Sequence, residues 1–405
     1  MPWKETCTMD ERLSFVTDYL RGVAPMTVLC ELYGISRKTG HKWVSRFRAA
    51  GPPGLRDRSR ARHGQSTRIA ASVAEELLAL CRERPFWGPR KLRAVLMRRA
   101  PEVSWPAAST IGDLLHAHGL IRPRRRRRRA IVTRRPFRDA VAPNDVWCID
   151  FKGWFRTGDG QRCDPLTITD AHSRYVLACQ IVPPCWAPVR AVVERTFRIY
   201  GLPKAMRSDN GPPFAGNGAG GLSHLSLDWV KAGIALERIE PGKPQQNGRH
   251  ERFHRTLKAE TSRPPARSLQ EQQARFDAFR PDFNENRPHE ALGQRPPASV
   301  YQISPRPWPA KLEDPWYDAD HAVRKVRASG EIKWGGRSVF ISETLAGQRV
   351  GLAEVGEHGW LVRFANIDLG LIDQTTWRFT RFTAARPCRR EAKPNQNTVT
   401  HVTGL

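Results

Sequence analysis

Apolar residues recur at helical spacing from the start of the chain. Over residues 10–21 the positions Leu13, Val16 and Leu20 share one face, which predicts a first helix. Gly22 and Pro25 interrupt it, and a second helix carrying Val28, Leu29 and Leu32 follows. Gly34 suits a tight turn and Ser36 an N-cap, so a third helix is expected over residues 37–49. Its Val44 and Phe47 point inward with Trp43 beside them. Arg37, Lys38, Thr39, His41 and Lys42 are left at or near its exposed N-terminal half. Residues 51–66 are rich in Pro, Gly and Arg and read as a linker. A second trihelical unit is predicted from helices at 69–84, 89–99 and 106–118, with Arg90, Lys91 and Arg93 giving it a basic face.

From Asn144 the pattern changes to alternating strands and helices. Strands are predicted at 146–154, 165–170 and 175–182, with Asp170-Ala171-His172-Ser173 as the turn between the last two. Val189, Val192, Val193, Thr196, Phe197 and Tyr200 mark a helix that Gly201 and Pro203 stop. A short strand at 204–208, a glycine-rich insert at 216–221, a helix near 223–232 and a strand at 235–239 precede a helix bearing Glu251. Three meandering strands followed by alternating helices and strands describe a ribonuclease-H-like α/β domain. Proline-rich connectors at 261–268 and 293–319 flank a helix at 269–286. Beyond them, short β-rich runs with glycine turns, including Val339-Phe340-Ile341 and Trp360-Leu361-Val362-Arg363-Phe364, suggest a small barrel.

The expected fold class is therefore multidomain: all-α helix-turn-helix units, an α/β ribonuclease-H-like catalytic core, then a small all-β SH3-like barrel. Expected boundaries are 8–52 and 66–121 for two helix-turn-helix DNA-binding domains and 122–143 for an arginine-rich linker. The core is expected over 144–300, the barrel over 320–380 and a disordered tail over 386–405.

Charge sharpens the picture. The 405 residues carry a formal net charge of +27, an electrostatic footprint for a polyanion, of which nucleic acid is the leading candidate. Six consecutive arginines, Arg124, Arg125, Arg126, Arg127, Arg128 and Arg129, cannot pack against one another, and are expected to stay extended and solvated until DNA neutralises them. A helix-turn-helix whose last helix enters the major groove fits the N-terminal pattern; an ordinary three-helix bundle with a charged face is the plainer alternative. No apolar stretch approaches a membrane span, and no secretory signal opens the chain. A cytoplasmic, nucleoid-associated protein is expected. The eight cysteines form no C-x-x-C pair, and His116 and His118 project in different directions, which argues against a zinc site.

Candidate chemistry rests on three carboxylates. Asp150 ends the apolar run Val146-Trp147-Cys148-Ile149, Asp209 follows a short strand in Arg207-Ser208-Asp209-Asn210-Gly211, and Glu251 lies on the helix opened by Asn247-Gly248. Two carboxylates at strand ends and one on a helix can converge on a single patch. There each pair would repel by about 4 kcal/mol at ~4 Å and an effective dielectric near 20. Without a divalent cation one or more would take up a proton. An all-oxygen site suits Mg²⁺ or Mn²⁺, and two such ions about 4 Å apart can activate an attacking oxygen and stabilise a leaving one. His254, Arg255 and Lys258 follow Glu251 by three, four and seven residues, so they are expected on its face, with Arg255 and Lys258 as DNA contacts. Asp145, Asp164 and Asp170 are weaker candidates, placed where turns want them.

These stretches carry a family resemblance. Trp147-Cys148-Ile149-Asp150-Phe151-Lys152, Ser208-Asp209-Asn210-Gly211-Pro212-Pro213-Phe214 and Pro241-Gly242-Lys243-Pro244-Gln245-Gln246-Asn247-Gly248 through Glu251 resemble the motifs of DDE transposases of bacterial insertion sequences, in the superfamily of retroviral integrases. Asn286-Arg287-Pro288-His289-Glu290-Ala291-Leu292 with Pro296-Pro297 resembles the close of that catalytic region, and Gly34-Ile35-Ser36-Arg37-Lys38-Thr39-Gly40 with Trp43 the first DNA-binding unit. The resemblance implies that Asp150, Asp209 and Glu251 are a metal-binding catalytic triad holding two ions. It implies recognition of terminal inverted repeats, end cleavage and strand transfer on double-stranded DNA, and a dimer or higher oligomer. The interval between Asp209 and Glu251 is somewhat longer than usual, with the glycine-rich insert as the obvious place for the excess. Two other classes stay open: a DNA-binding regulator derived from a transposase, and a plain nuclease acting on RNA–DNA hybrids. Any accessory ATPase is invisible from the sequence.

Overall fold

The computed structural model describes residues 7–58, 69–121, 140–240 and 248–387. The arginine run 124–129, the segment 241–247 and the tail beyond 387 lie outside these. The chain divides into two compact units, 1–69 and 70–405.

In the first unit α1 (Thr8–Leu20), α2 (Met26–Leu32) and α3 (Arg37–Ala50) form a trihelical domain. Ser36 caps α3 by accepting the Thr39 N–H at 3.2 Å. Gly40 lets α3 approach its neighbours, since a β-carbon there would lie 2.7 Å from Cys30 Sγ and 2.9 Å from Phe15. The inward faces of α1 and α2 differ from expectation. Phe15, Val16, Leu29 and Cys30 are buried, whereas Leu13, Leu20, Val28 and Leu32 are exposed. The expected linker also begins inside this domain. Leu55 is fully buried, and Arg12 donates to its carbonyl at 2.8 Å and pairs with Asp57 at 3.1 Å.

The second unit opens with α4 (Ala71–Glu83), α5 (Pro89–Arg99) and α6 (Ala108–Ala117), around a core of Leu77, Leu92, Leu96, Trp105, Ile111 and Leu115. The α/β core follows. Strand β1 (Val146–Phe151) is shorter than expected, and a hairpin of β2 (Phe155–Arg156) and β3 (Arg162–Cys163) begins at once. Next come β4 (Pro165–Asp170), β5 (Val176–Ile181), α7 (Trp186–Tyr200), β6 (Ala205–Ser208), α8 (His224–Lys231), β7 (Ala235–Arg238), α9 (Gly248–Thr261) and α10 (Leu269–Glu285). The main sheet has the order β5-β4-β1-β6-β7, antiparallel on the β5 and β4 side of β1 and parallel beyond it.

Alternation along the strands builds two cores. Trp147, Ile149, Leu166 and Ile168 pack with Val189 and Phe197 of α7 and Trp229 of α8. On the other face Val176 and Cys179 meet Phe253 and Leu257 of α9 and Phe276, Phe279 and Phe283 of α10. Asp150 follows Ile149, so its side chain emerges on the α9 side. The core reaches beyond residue 300, for Tyr301 and Trp308 pack against it.

The C-terminal region is all-β, in two sheets. One has the order β14 (Phe379–Pro387), β13 (Ile367–Asp373), β12 (Gly359–Phe364), β11 (Arg349–Val355) and β8 (Ala322–Lys325); the other pairs β9 (Glu331–Trp334) with β10 (Arg337–Phe340). Its last strand runs into the segment expected to be tail. Its core is shared: Ala219, Leu222, Leu227 and Val230, from the glycine-rich insert and α8, cluster with Val350, Leu352, Phe364 and Leu369.

Candidate active site

The sheet order sets the site. The parallel neighbours β1 and β6 deliver Asp150 and Asp209 from adjacent strand ends. Helix α9 crosses the same face and brings Glu251. Asp150 is half-buried, and Asp209 and Glu251 are exposed. The Asp209 carboxylate accepts the Gly211 N–H at 3.2 Å, which fixes the turn after β6.

Convergence of the three shows in their electrostatics. Burial foremost, then the Asp209 carboxylate and also Glu251, push Asp150 up to about 7, against a partial offset from the Phe151 backbone N–H and Lys152. A carboxylate raised to near neutrality by burial and by two neighbouring carboxylates is a site that a divalent cation would relieve. The donor set fits Mg²⁺ or Mn²⁺. Among the described residues, Asp150, His250 and His254 are also close enough for a metal, their ligand atoms lying within 4.8 Å of one another.

The two histidines are committed elsewhere. His250 Nε2 and His254 Nε2 each lie 2.7 Å from Thr167 Oγ1, and His250 Nδ1 lies 2.9 Å from Thr169 Oγ1. Thr167 faces Asp150 across the β1–β4 ladder and donates to its carbonyl at 3.1 Å. Burial holds His250 down to about 3 and His254 to about 2, so both imidazoles are neutral. His254 therefore does not share the solvent face of Glu251, contrary to the sequence expectation. Arg255 and Lys258 do lie on that exposed face.

Two further cations emerge here that motif reading did not single out. Lys152, two residues after Asp150, is lowered by burial and then by Lys258 and Arg263, so three positive side chains crowd beside the carboxylates. Arg238 on β7 is lowered by burial and partly restored by Asp209, and its buried Nε has no partner. A signal for Lys152 was present in the chain, since a lysine directly after a catalytic strand sits at the rim of the site.

Asp170 and Asp145 serve turns, as expected. Asp170 accepts from the backbone of Asn144, His172 and Ser173. Asp145 accepts from Val141 and Ala142 and pairs with Lys204 at 2.8 Å.

In the first unit Arg37, Lys38, His41 and Lys42 are exposed on α3, with the Lys42 ammonium 4.1 Å from the Trp43 ring centre. Thr39 is half-buried and spends its hydroxyl on Ser36 at 2.9 Å. Several cations of the second helical unit contact the α/β core, although Arg90 of its expected basic face stays exposed. Arg84 pairs with Asp282 at 2.7 Å, Arg90 with Glu290 at 2.6 Å, and Arg98 donates to the Gln294 carbonyl at 3.1 Å. Arg93 donates to Pro106 within its own unit. No helix among the described residues is long and apolar enough to cross a membrane.

Comparison with known proteins agrees with this layout. Family models described as integrase core domain match residues 140–244 and 232–297. A helix-turn-helix domain matches 11–63 and a homeodomain-like domain 39–115. The 31.7 kDa protein of insertion element IS407 from Burkholderia multivorans is 32% identical over 232 residues, 56% of this chain and 79% of that protein. The 39.2 kDa protein of insertion element IS476 from Xanthomonas euvesicatoria is 27% identical over 65% of this chain and 74% of its own length. Among solved structures, the HTLV-2 integrase catalytic core in complex with magnesium aligns over 40% of this chain and all of its own length, at 12% identity and a TM-score of 0.33. Helix-turn-helix and integrase-core matches in this order, with that identity to an insertion-element protein, place the chain in the family of integrase-core transposases of bacterial insertion sequences.

Proposed function

We propose that the chain binds the terminal inverted repeats of its element and catalyses DNA end cleavage and strand transfer at Asp150, Asp209 and Glu251. The observation that carries this reading is Asp150, pushed up to about 7 by burial first and then by the charges of Asp209 and Glu251. Asp150, Asp209 and Glu251 would hold two Mg²⁺ or Mn²⁺ ions. Bound there, the ions would activate the attacking oxygen and stabilise the leaving one. The chain's own residues do the rest. Lys152, Arg255 and Lys258 hold the phosphodiester against the carboxylates and offset its charge. In the first step the oxygen of water bonds to phosphorus while the bond to the 3′-oxygen breaks, exposing a 3′-hydroxyl. In the second, the oxygen of that hydroxyl bonds to a target phosphorus while the bond from that phosphorus to the target's own 3′-oxygen breaks. The released oxygen takes up the proton as a 3′-hydroxyl on the target. No covalent protein–DNA intermediate is required.

Arg37, Lys38, His41 and Lys42 are the proposed contacts of the first helix-turn-helix with double-stranded DNA. Two ends must be brought together, so at least a dimer is expected. The test is strand transfer of a pre-cut element end into supercoiled target with Mg²⁺, comparing wild type with Glu251→Gln. Joined product from wild type, reduced at least ~10³-fold in the variant while end binding persists, is the expected result. End binding by both proteins without joining would favour a DNA-binding regulator instead. Hydrolysis without joining would favour a plain nuclease.

A further inference from the structure

Trp154 is out of place by ordinary rules of burial. It follows Asp150 by four residues, and 57% of its surface is exposed. The hairpin that carries it is firmly mounted. Phe155, the next residue, turns inward to the cluster of Phe253 and Leu257 on α9, the helix of Glu251. At the tip, Gly158 and Asp159 donate their N–H groups to the carbonyls of Ala266 and Arg267, each at 2.8 Å. The exposed indole is thus fixed to both the strand and the helix that form the active site.

Its surroundings are cationic. The guanidinium carbons of Arg162 and Arg156 lie 5.3 and 5.9 Å from the Trp154 ring centre. Arg162 is held by two 2.8 Å bonds to Asp164, and Arg156 by a 2.6 Å bond to the Gly160 carbonyl. A protein partner with an apolar patch would have to desolvate both. A polyanion would not, and a polyanion with aromatic faces would use the indole as well. Inside a duplex the base faces are covered by their neighbours. Only a terminal or unpaired base has a face to give.

Resting on the proposed DNA-joining function, we propose that Trp154, with Arg156 and Arg162, is a stacking site for an unpaired nucleotide at the DNA end presented to Asp150. The indole takes the base and the two arginines take the flanking phosphates, as in platforms that hold single strands.

The test is a binding measurement, independent of catalysis. In the full-length chain carrying Glu251→Gln, fluorescence anisotropy compares a blunt duplex of the element end with the same duplex bearing three unpaired 5′ nucleotides. The expected result is roughly tenfold tighter binding of the overhang duplex, a preference lost in Trp154→Ala and largely kept in Trp154→Phe. Because no charge is removed, Trp154→Ala leaves the salt dependence unchanged, whereas Arg156→Gln lessens it. A preference retained in Trp154→Ala, or absent from the parent, overturns the stacking site while leaving DNA joining standing. Failure of the parent to bind either duplex overturns both.

Discussion

Thr167 has one hydroxyl proton and three neighbours that want it or its lone pairs. If the proton goes to the Asp150 carbonyl, 3.1 Å away, both imidazoles must donate to Thr167 through Nε2, since each lies at 2.7 Å. His250 Nδ1 is then free to accept from Thr169. The network is closed, neutral and buried, and it pins α9 to the strand opposite Asp150. Thr167→Val should leave two buried N–H groups without an acceptor and cost ~1–3 kcal/mol in urea unfolding, while Thr167→Ser recovers most of it. Joining activity should fall further than stability alone explains, because Glu251 rides on the same helix. A variant as stable and active as wild type would show the network to be dispensable.

Helical arithmetic explains why His254 was misread. Three residues past Glu251 is 300° of rotation, 60° short of a full turn and toward the sheet, whereas seven residues is 700°, only about 20° short of two turns. Sharing a face is a matter of degree, and a ring this near the buried side goes in when acceptors wait there. Those acceptors, two threonines on a strand far away in sequence, carry no local signal.

At the scale of elements, periodicity located nearly every helix and strand of the core to within a few residues, but not always which side turns inward. Helix α2 has only seven residues, too few to separate one face from another, so Val28 and Leu32 seemed as good as Leu29. The basic face of α5 misled in a different way. Cations on a helix look the same in sequence whether DNA or a carboxylate faces them, and here Glu290 pairs with Arg90.

Lys91 sits in this packing and is lowered to about 8 by burial first and then by Arg287, with Glu260 and Glu290 opposing. Its folded pKa lies below the unfolded value of 10.5. The stability this residue permits is therefore present above about 10.5 and lost as pH falls through about 8. At pH 7 the charged amine is a burden, so Lys91→Met should stabilise the protein there by ~1 kcal/mol, after discounting for solvent screening. The advantage should shrink as pH approaches 10. Paired thermal melts at both values test this, and an advantage constant with pH would point to packing rather than charge.

For the molecule as a whole, the main departure from the sequence reading is that the C-terminal β region is no appended module. The catalytic core and the β sheets fall within one compact unit, joined by the glycine-rich insert that looked in sequence like mere excess length. Gly216 shows the closeness of its folding, since a β-carbon there would lie 2.4 Å from the Leu222 carbonyl oxygen. That turn presents Ala219 and Leu222, beside Leu227 and Val230 of α8, to the β sheets. Burial of such side chains is worth ~1.5–3 kcal/mol apiece for the larger ones. The same residues become an exposed apolar patch once the sheets are removed. A fragment of residues 70–315 should therefore aggregate on expression although it contains the whole proposed triad. Leu222→Ser with Leu227→Ser should return it to solution without restoring the full chain's melting temperature. A soluble, monodisperse wild-type fragment that melts like the full chain would mean that the β sheets are an independent domain after all, and that the insert serves the catalytic core alone.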